Sequence, residues 1–193
     1  MVVDGRGERY ESTARQVEPG EDARLCWPPV STQVPLDLEL KPLDRDARTL
    51  GDWLTTFQMA AVVLDPYTHE SAWVIDAARR VLGHFRGADC RVVFVVEGDD
   101  SEARQFLGPI VDEVLTLSDA DRGMVTGAEL EQLPAFLHIA QDGTVIGRAE
   151  GWNPASWREV AAGLARRMSW TAPLIPAAGD PVAYPGSPAS GAA

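Results

Sequence analysis

Residues 60–78, AAVVLDPYTHESAWVIDAA, decide how the rest of the chain is read. Ala60 to Leu64 is a short apolar run of strand type. Asp65-Pro66-Tyr67 is a turn. A helix opens at Thr68 or His69, and Val74, Ala77, Ala78, Val81, Leu82 and Phe85 recur at helical spacing, a stripe that packs on a sheet. This strand–turn–helix unit places Thr68-His69-Glu70-Ser71 at a helix N-terminus. Backbone N–H groups and the helix dipole favour an anion or a thiolate at such a place. The tetrad contains no cysteine.

Downstream, RVVFVV at 91–96 is a continuous β-branched run, as expected of a central strand covered on both faces. A short helix follows at 101–107 and stops at Gly108-Pro109. VDEVLTL at 111–117 is a further strand, and Ser118-Asp119 can cap a helix over 119–126. AFLHIA at 135–140, the turn Gln141-Asp142-Gly143 and a return strand at 144–149 form a hairpin. Asn153-Pro154 starts a last helix, 155–169, with Trp157, Val160, Ala161, Leu164 and Met168 on its buried face. Upstream, VPLDLEL at 34–40 alternates as a half-buried strand does, with Pro35 suiting a sheet edge. ARTLGDWLTTFQ at 47–58 carries Leu50, Trp53, Leu54 and Phe57 on one helical face. Strands alternating with helices predict an α/β domain over 34–170, a largely parallel sheet with helices on both faces and an antiparallel edge from the hairpin. Residues 1–33 are expected to be a disordered, acidic segment and lead-in. Residues 171–193, rich in Ala, Pro and Gly, are expected to be a disordered tail.

The 193 residues are 45% hydrophobic, enough for a core, and carry a formal net charge of −12. That charge disfavours nucleic acid and anionic membrane surfaces as partners. Lys41 is the single lysine among 17 basic residues, a bias of GC-rich coding that hints at a bacterial source. No apolar leader and no 18-residue apolar run occur, so a cytoplasmic protein is expected. Cys26 and Cys90 form neither Cys-x-x-Cys nor a zinc-type cluster, and two idle thiols are expected rather than a disulfide. No metal and no cofactor are expected.

The strand–turn–helix AVVLDPYTHESAWVIDAARRVL at 61–82, the run LTLSDADRGMVTGAELEQLPAF and the hairpin segment LPAFLHIAQDGTVIGRAEGW together resemble the thioredoxin-like superfamily, on its TlpA and peroxiredoxin-like side. The resemblance covers about residues 34–170. It implies a three-layer α/β/α fold whose mixed sheet ends in a C-terminal β-hairpin and helix. It also implies redox cysteines at the positions of Thr68 and Ser71, a cis bond at Leu133-Pro134 facing them, and an open backbone edge at Leu133 where an extended peptide docks. A hydroxyl cannot form a disulfide, and a helix terminus cannot ionise it. Dithiol exchange is therefore not expected at this site, whereas peptide binding needs no cysteine.

Thr68 is read as the helix N-cap, with Glu70 and Ser71 in the first turn. His69 and Glu70 are adjacent on the helix and do not face each other, so they belong to a solvated rim. Tyr67 is expected to pack partly buried. With Pro66 and Leu133, these three residues line the expected ligand or peptide site, while Thr68, Ser71 and Pro134 mark vestigial active-site positions. His138 is expected to be packed on its strand, and His84 to sit near a helix C-terminus. No catalytic residue is assigned. The expected function is a redox-inactive thioredoxin-fold protein that binds another protein or a peptide. The alternative is a thiol enzyme or transferase on the same fold, using Cys26, Cys90 or a bound small thiol.

Overall fold

A computed structural model of the chain describes residues 32–190. Cys26 and the expected disordered segment up to residue 31 lie outside the described residues. The strands are β1 (Glu39–Pro42), β2 (Arg48–Thr49), β3 (Gln58–Leu64), β4 (Cys90–Val96), β5 (Leu115–Ser118), β6 (Gln132–Leu133), β7 (Ala135–Ile139), β8 (Val145–Glu150) and β9 (Ser187–Pro188). The helices are α1 (Leu50–Leu54), α2 (His69–Trp73), α3 (Ile75–His84), α4 (Asp100–Leu107), α5 (Gly123–Gly127) and α6 (Pro154–Arg167). Seven strands make one sheet in the order β2-β1-β5-β4-β3-β7-β8. The pairs β3/β4 and β4/β5 are parallel and the rest antiparallel.

The two-residue period of the central strands sorts the core. Ala60, Val62, Leu64, Phe94, Val96 and Phe136 face the layer of α3, α4 and α6. Met59, Ala61, Val63, Val93, Val95 and Leu137 face the layer of α1 and α5. Both faces of β3 and β4 are therefore buried, which explains why their runs are continuously apolar. Trp157 anchors the first layer, its ring centroid 4.9 Å from that of Trp152 and 5.0 Å from that of Phe136.

Several expectations change. The strand read at 34–40 begins only at Glu39. Pro35 has no N–H to pair, and its carbonyl instead accepts from Leu38 N in a turn, leaving Leu36 exposed. The helix read over 47–58 is the short β2 followed by α1. Thr49 caps α1 in a capping box with Asp52, the guanidinium groups of Arg48 and Arg91 each lie over the Trp53 ring, and Phe57 lies outside the helix. The helix after Asp65 is interrupted at Val74, giving α2 and α3. Residues 111 and 112 complete a 3-10 turn, and the strand starts at Leu115.

The largest change concerns residues 171–190, which pack on the domain. Ile175 and Ala189 are buried. Arg80 donates to both carboxylate oxygens of Asp180 and to Leu174 O, and Arg158 donates to Ile175 O. β9 pairs antiparallel with β6. Composition misled here because Pro and Gly also suit an extended segment fixed by single anchors, which has no periodicity.

Candidate functional site

β3, β4 and β5 are adjacent and parallel, and their last residues, Leu64, Val96 and Ser118, lie in register. The next residue of each strand is acidic: Asp65, Glu97 and Asp119. The ladder carries them in step, since Glu97 N donates to Leu64 O and Asp119 N to Val96 O, each at 2.9 Å. By the alternation of side chains they point toward the α5 layer, the face of Val63, Val95 and Leu117. Where adjacent parallel strands end on ligand-sized space outside their carboxyl ends, that space is the expected site. Here that space is a cleft of about 610 Å³ lined by Asp65, Tyr67, Thr68, Glu97, Arg122 and Ser187, among others.

Among the described residues, Arg122 is the one basic residue lining this cleft. It precedes α5 in a left-handed conformation, φ +56°, which costs a non-glycine residue about 1–3 kcal/mol and is held by the contacts of its side chain. Its Nη2 donates to Asp65 Oδ2 at 2.5 Å, its Nη1 donates to Ala189 O at 2.9 Å, and its Nε lies 3.8 Å from Glu97 Oε2. Asp119 receives Gly123 N on one oxygen and Met124 N on the other, capping α5.

Glu97 is the odd member. Its side chain is fully buried, and no donor among the described residues makes a hydrogen bond to either oxygen. Burial pushes its pKa up to about 9; the Asp119 carboxylate adds to this, the Arg122 guanidinium opposes it, and Asp65 adds a smaller push. Asp119 is likewise raised, chiefly by burial, against the two backbone N–H groups that it accepts. Burial and the neighbouring Asp119 thus favour the neutral, protonated form of Glu97 at neutral pH. Glu97 and Asp119 are neighbouring buried acids, and like charges held close disfavour joint ionisation.

The hydroxyls at the expected cysteine positions are both engaged by Asp65. Asp65 N donates to Ser71 Oγ at 3.0 Å, and Ser71 is fully buried. Thr68 Oγ1 donates back to Asp65 O at 3.2 Å, so Thr68 occupies the N-cap position without a side-chain cap bond. The expected capping by the Thr68 hydroxyl is thus replaced by a bond that closes the turn. Asp65 Oδ1 accepts from Tyr67 N at 2.9 Å. With Arg122 on its other oxygen, every polar group of Asp65 is satisfied.

Other expected site residues fall as follows. Tyr67 is 69% exposed rather than packed, and its hydroxyl donates to Glu102. Its pKa is raised, first by that bond. His69 is exposed and stacks on Trp73, which is itself 56% exposed and meets Tyr184 edge-on. Glu70 O accepts from Tyr184 Oη at 2.5 Å. Pro66 lines a smaller neighbouring pocket with Tyr67 and Glu102. The Leu133–Pro134 bond is cis, as the resemblance implied. The edge at Leu133 is not open, however: Leu133 is buried, and β9 pairs with it.

His138 packs as expected. It is buried, meets Gln58 Oε1 at 2.7 Å, and is held neutral by a pKa pushed down to about 4, chiefly by burial. Cys90 opens β4 opposite Gln58, at the sheet end away from the cleft. It is buried, and burial pushes its thiol up to about 12. Among the described residues no group of three or more His, Cys, Asp or Glu side chains is placed to hold a metal ion, and no helix is long and apolar enough to cross a membrane.

Sequence reasoning missed Glu97 and Arg122 as site residues, and it saw Asp119 only as a cap. A signal was present: the runs VVLD, FVVE and LTLSD each end on an acid, and three adjacent parallel strands bring such ends together.

No protein-family model matches the chain, and no curated protein matches it by sequence. Solved structures do match by fold. A protein assigned as the thiol:disulfide interchange protein DsbE from Chlorobium tepidum superposes with a TM-score of 0.59 at 15% identity, covering 72% of this chain and 96% of that one. MTB dsbF superposes at 0.54 and 18% identity, covering 70% and 97%. A peroxiredoxin Q mutant from Xanthomonas campestris superposes at 0.57 and 14% identity, covering 69% and 96%. The chain therefore has the thioredoxin-like fold.

Proposed function

We propose that this chain is a redox-inactive thioredoxin-fold protein that binds another protein or a peptide in the cytoplasm. One observation carries the reading. The two side chains at the positions where the resemblance implies redox thiols are hydroxyls, and both are bonded to Asp65, which they hold in the turn. A buried Ser71 with its oxygen accepting from a backbone N–H has no attack trajectory open to it. The exposed surface beside it supports the binding half of the reading. Tyr67 and the stacked His69–Trp73 pair present aromatic area around the start of α2, next to Glu70, Asp99 and Glu102. Exposed aromatics beside polar groups are typical of protein-docking faces. The net charge of −12 favours a protein partner over nucleic acid or an anionic membrane.

The lone-thiol alternative has no support at Cys90. That thiol is buried, its pKa is well above neutrality, and it lies at the far end of the sheet. Native protein incubated with excess oxidised glutathione at pH 7.5 is expected to form no mixed disulfide at Cys90, and to form one readily once denatured. The measurement is the mass of the Cys90 peptide after quenching. Modification of the native protein at a rate near that of free cysteine would restore the thiol enzyme as the better reading.

A further inference from the structure

The edge that the resemblance assigns to an extended peptide is filled by the chain itself. Trp152 N donates to Tyr184 O at 3.0 Å, and Tyr184 N donates to Trp152 O at 2.9 Å. Ser187 then lies opposite Leu133, and Pro188 opposite Gln132. Ser187 Oγ donates to Leu133 O at 3.2 Å, Ala189 N donates to Glu131 O at 2.8 Å, and Ala189 O receives Arg122 Nη1.

The seat is selective at each step. Gly186 has φ +91°, and a Cβ there would stand 2.6 Å from Leu133 O and 3.0 Å from the Gly151 Cα, so only glycine fits. Ser187 supplies a hydroxyl donor. Pro188 points outward, exposed. Ala189 is fully buried among the α5-side core residues and has to be small and apolar.

The attachment is uneven along the segment. Residues 174–180 are clamped by Ile175 in the core and by Arg80 and Arg158. Residues 182–190 lie on the edge with Val182 at 89% exposure and Pro185, Pro188 and Ser190 exposed; two side chains anchor them, Tyr184, half-buried against the core with its hydroxyl on Glu70 O, and Ala189, the one fully buried. Local opening is easiest where backbone bonds face solvent and few apolar contacts are lost. Residues 187 and 188 also wall the acidic cleft, so their departure uncovers Arg122 and the carboxyl ends of the strands.

We propose that residues 184–189 are an internal occupant of the docking edge, and that the partner carries an extended Gly-hydroxyl-x-small segment that exchanges with it. This inference rests on the binding half of the function proposed above. The partner pairs as a strand with Leu133, places its small apolar residue where Ala189 sits, and offers a carbonyl to Arg122. The clamp at 174–180 keeps the displaced segment tethered nearby, so it competes at high effective concentration and sets a threshold for partner binding.

Hydrogen exchange on the full chain tests the opening, and a synthetic peptide with the sequence of residues 183–190 tests the exchange. The Tyr184 and Ala189 amides are expected to exchange at least ~100-fold faster than the Val95 and Leu137 amides. Gly186→Val weakens the internal seat and leaves the groove's own residues unchanged, so the variant is expected to bind the peptide at least ~10-fold more tightly than the parent does. The same peptide with valine in place of its glycine is expected not to bind. Exchange of Tyr184 and Ala189 only with global unfolding would overturn the proposal. So would failure of the Gly186→Val chain, with its core amides still protected, to bind the peptide. A concentration-dependent dimer of that variant with no peptide binding would name a second copy as the occupant and also overturn it. Peptide binding by a chain that proved able to reduce disulfides would leave this inference standing and remove the redox-inactive reading alone.

Discussion

Replacing Glu97 with glutamine is expected to stabilise the protein at pH 8 by on the order of 2 kcal/mol, and to change little at pH 4.5. The folded protein holds Glu97 protonated because burial and the Asp119 carboxylate raise its pKa to about 9, from an ordinary value of 4.5. Below 4.5 both folded and unfolded chains carry the proton, and the group imposes no penalty. Between 4.5 and 9 the unfolded chain has released it while the folded chain retains it. Stability therefore declines as pH rises through this window, by at most about 1.4 kcal/mol per pH unit from this one group. Glutamine is neutral in both states and keeps the size and shape of the buried side chain. The variant loses that part of the slope and keeps the smaller part due to Asp119, which is raised in the same direction. Urea midpoints of both proteins at several pH values from 4.5 to 8.5 measure it. Parallel curves would mean that Glu97 is ionised in the folded state and that the row of acids is solvated.

Replacing Arg122 with methionine is expected to cost about 3 kcal/mol at pH 7. Methionine keeps much of the length and apolar stem, but the Asp65 carboxylate, only 5% exposed, loses the one cationic partner it has among the described residues. Removing one member of a buried pair leaves a charge in a poor solvent, which is far costlier than losing a surface pair. Ala189 O loses its donor as well, so the 184–189 segment should also loosen. Arg104→Met supplies the contrast. Arg104 pairs with Asp44, whose side chain is 72% exposed, and its loss should cost less than about 1 kcal/mol. Equal small losses for both variants in urea unfolding would show that Arg122 organises nothing.

How far the chain could be read from its sequence depended on what held each part in place. Strands β3 and β4 were legible as continuous apolar runs buried on both faces, and helices α3 and α6 because packing on one face writes a period into the residues it buries, as in Val74 to Phe85. The hairpin of β7 and β8 was legible from Asp142-Gly143, where Gly143 takes φ +86°. The row of Asp65, Glu97 and Asp119 was not read as a unit, because it depends on which strands become neighbours and local pattern does not carry strand order. Arg122 was missed for the same reason: its partners lie 57 residues upstream at Asp65 and 67 downstream at Ala189. Tyr67 was misjudged because an aromatic at a turn packs inward or outward according to what faces it, and here Glu102 draws its hydroxyl to the surface. The 184–189 strand was hidden by its Pro and Gly content. Those residues fit an edge where the proline faces out and the glycine meets a carbonyl at close range.

The central claim is that the turn before α2 keeps the thioredoxin-like geometry while its hydroxyls serve only Asp65. The most direct test is reduction of insulin disulfides in the presence of dithiothreitol, followed by the turbidity of the precipitating chains. The wild-type protein is expected to give the rate of dithiothreitol alone, at pH 7 and at pH 8. Insulin reduction by the wild-type chain that rises in proportion to its concentration would contradict the account.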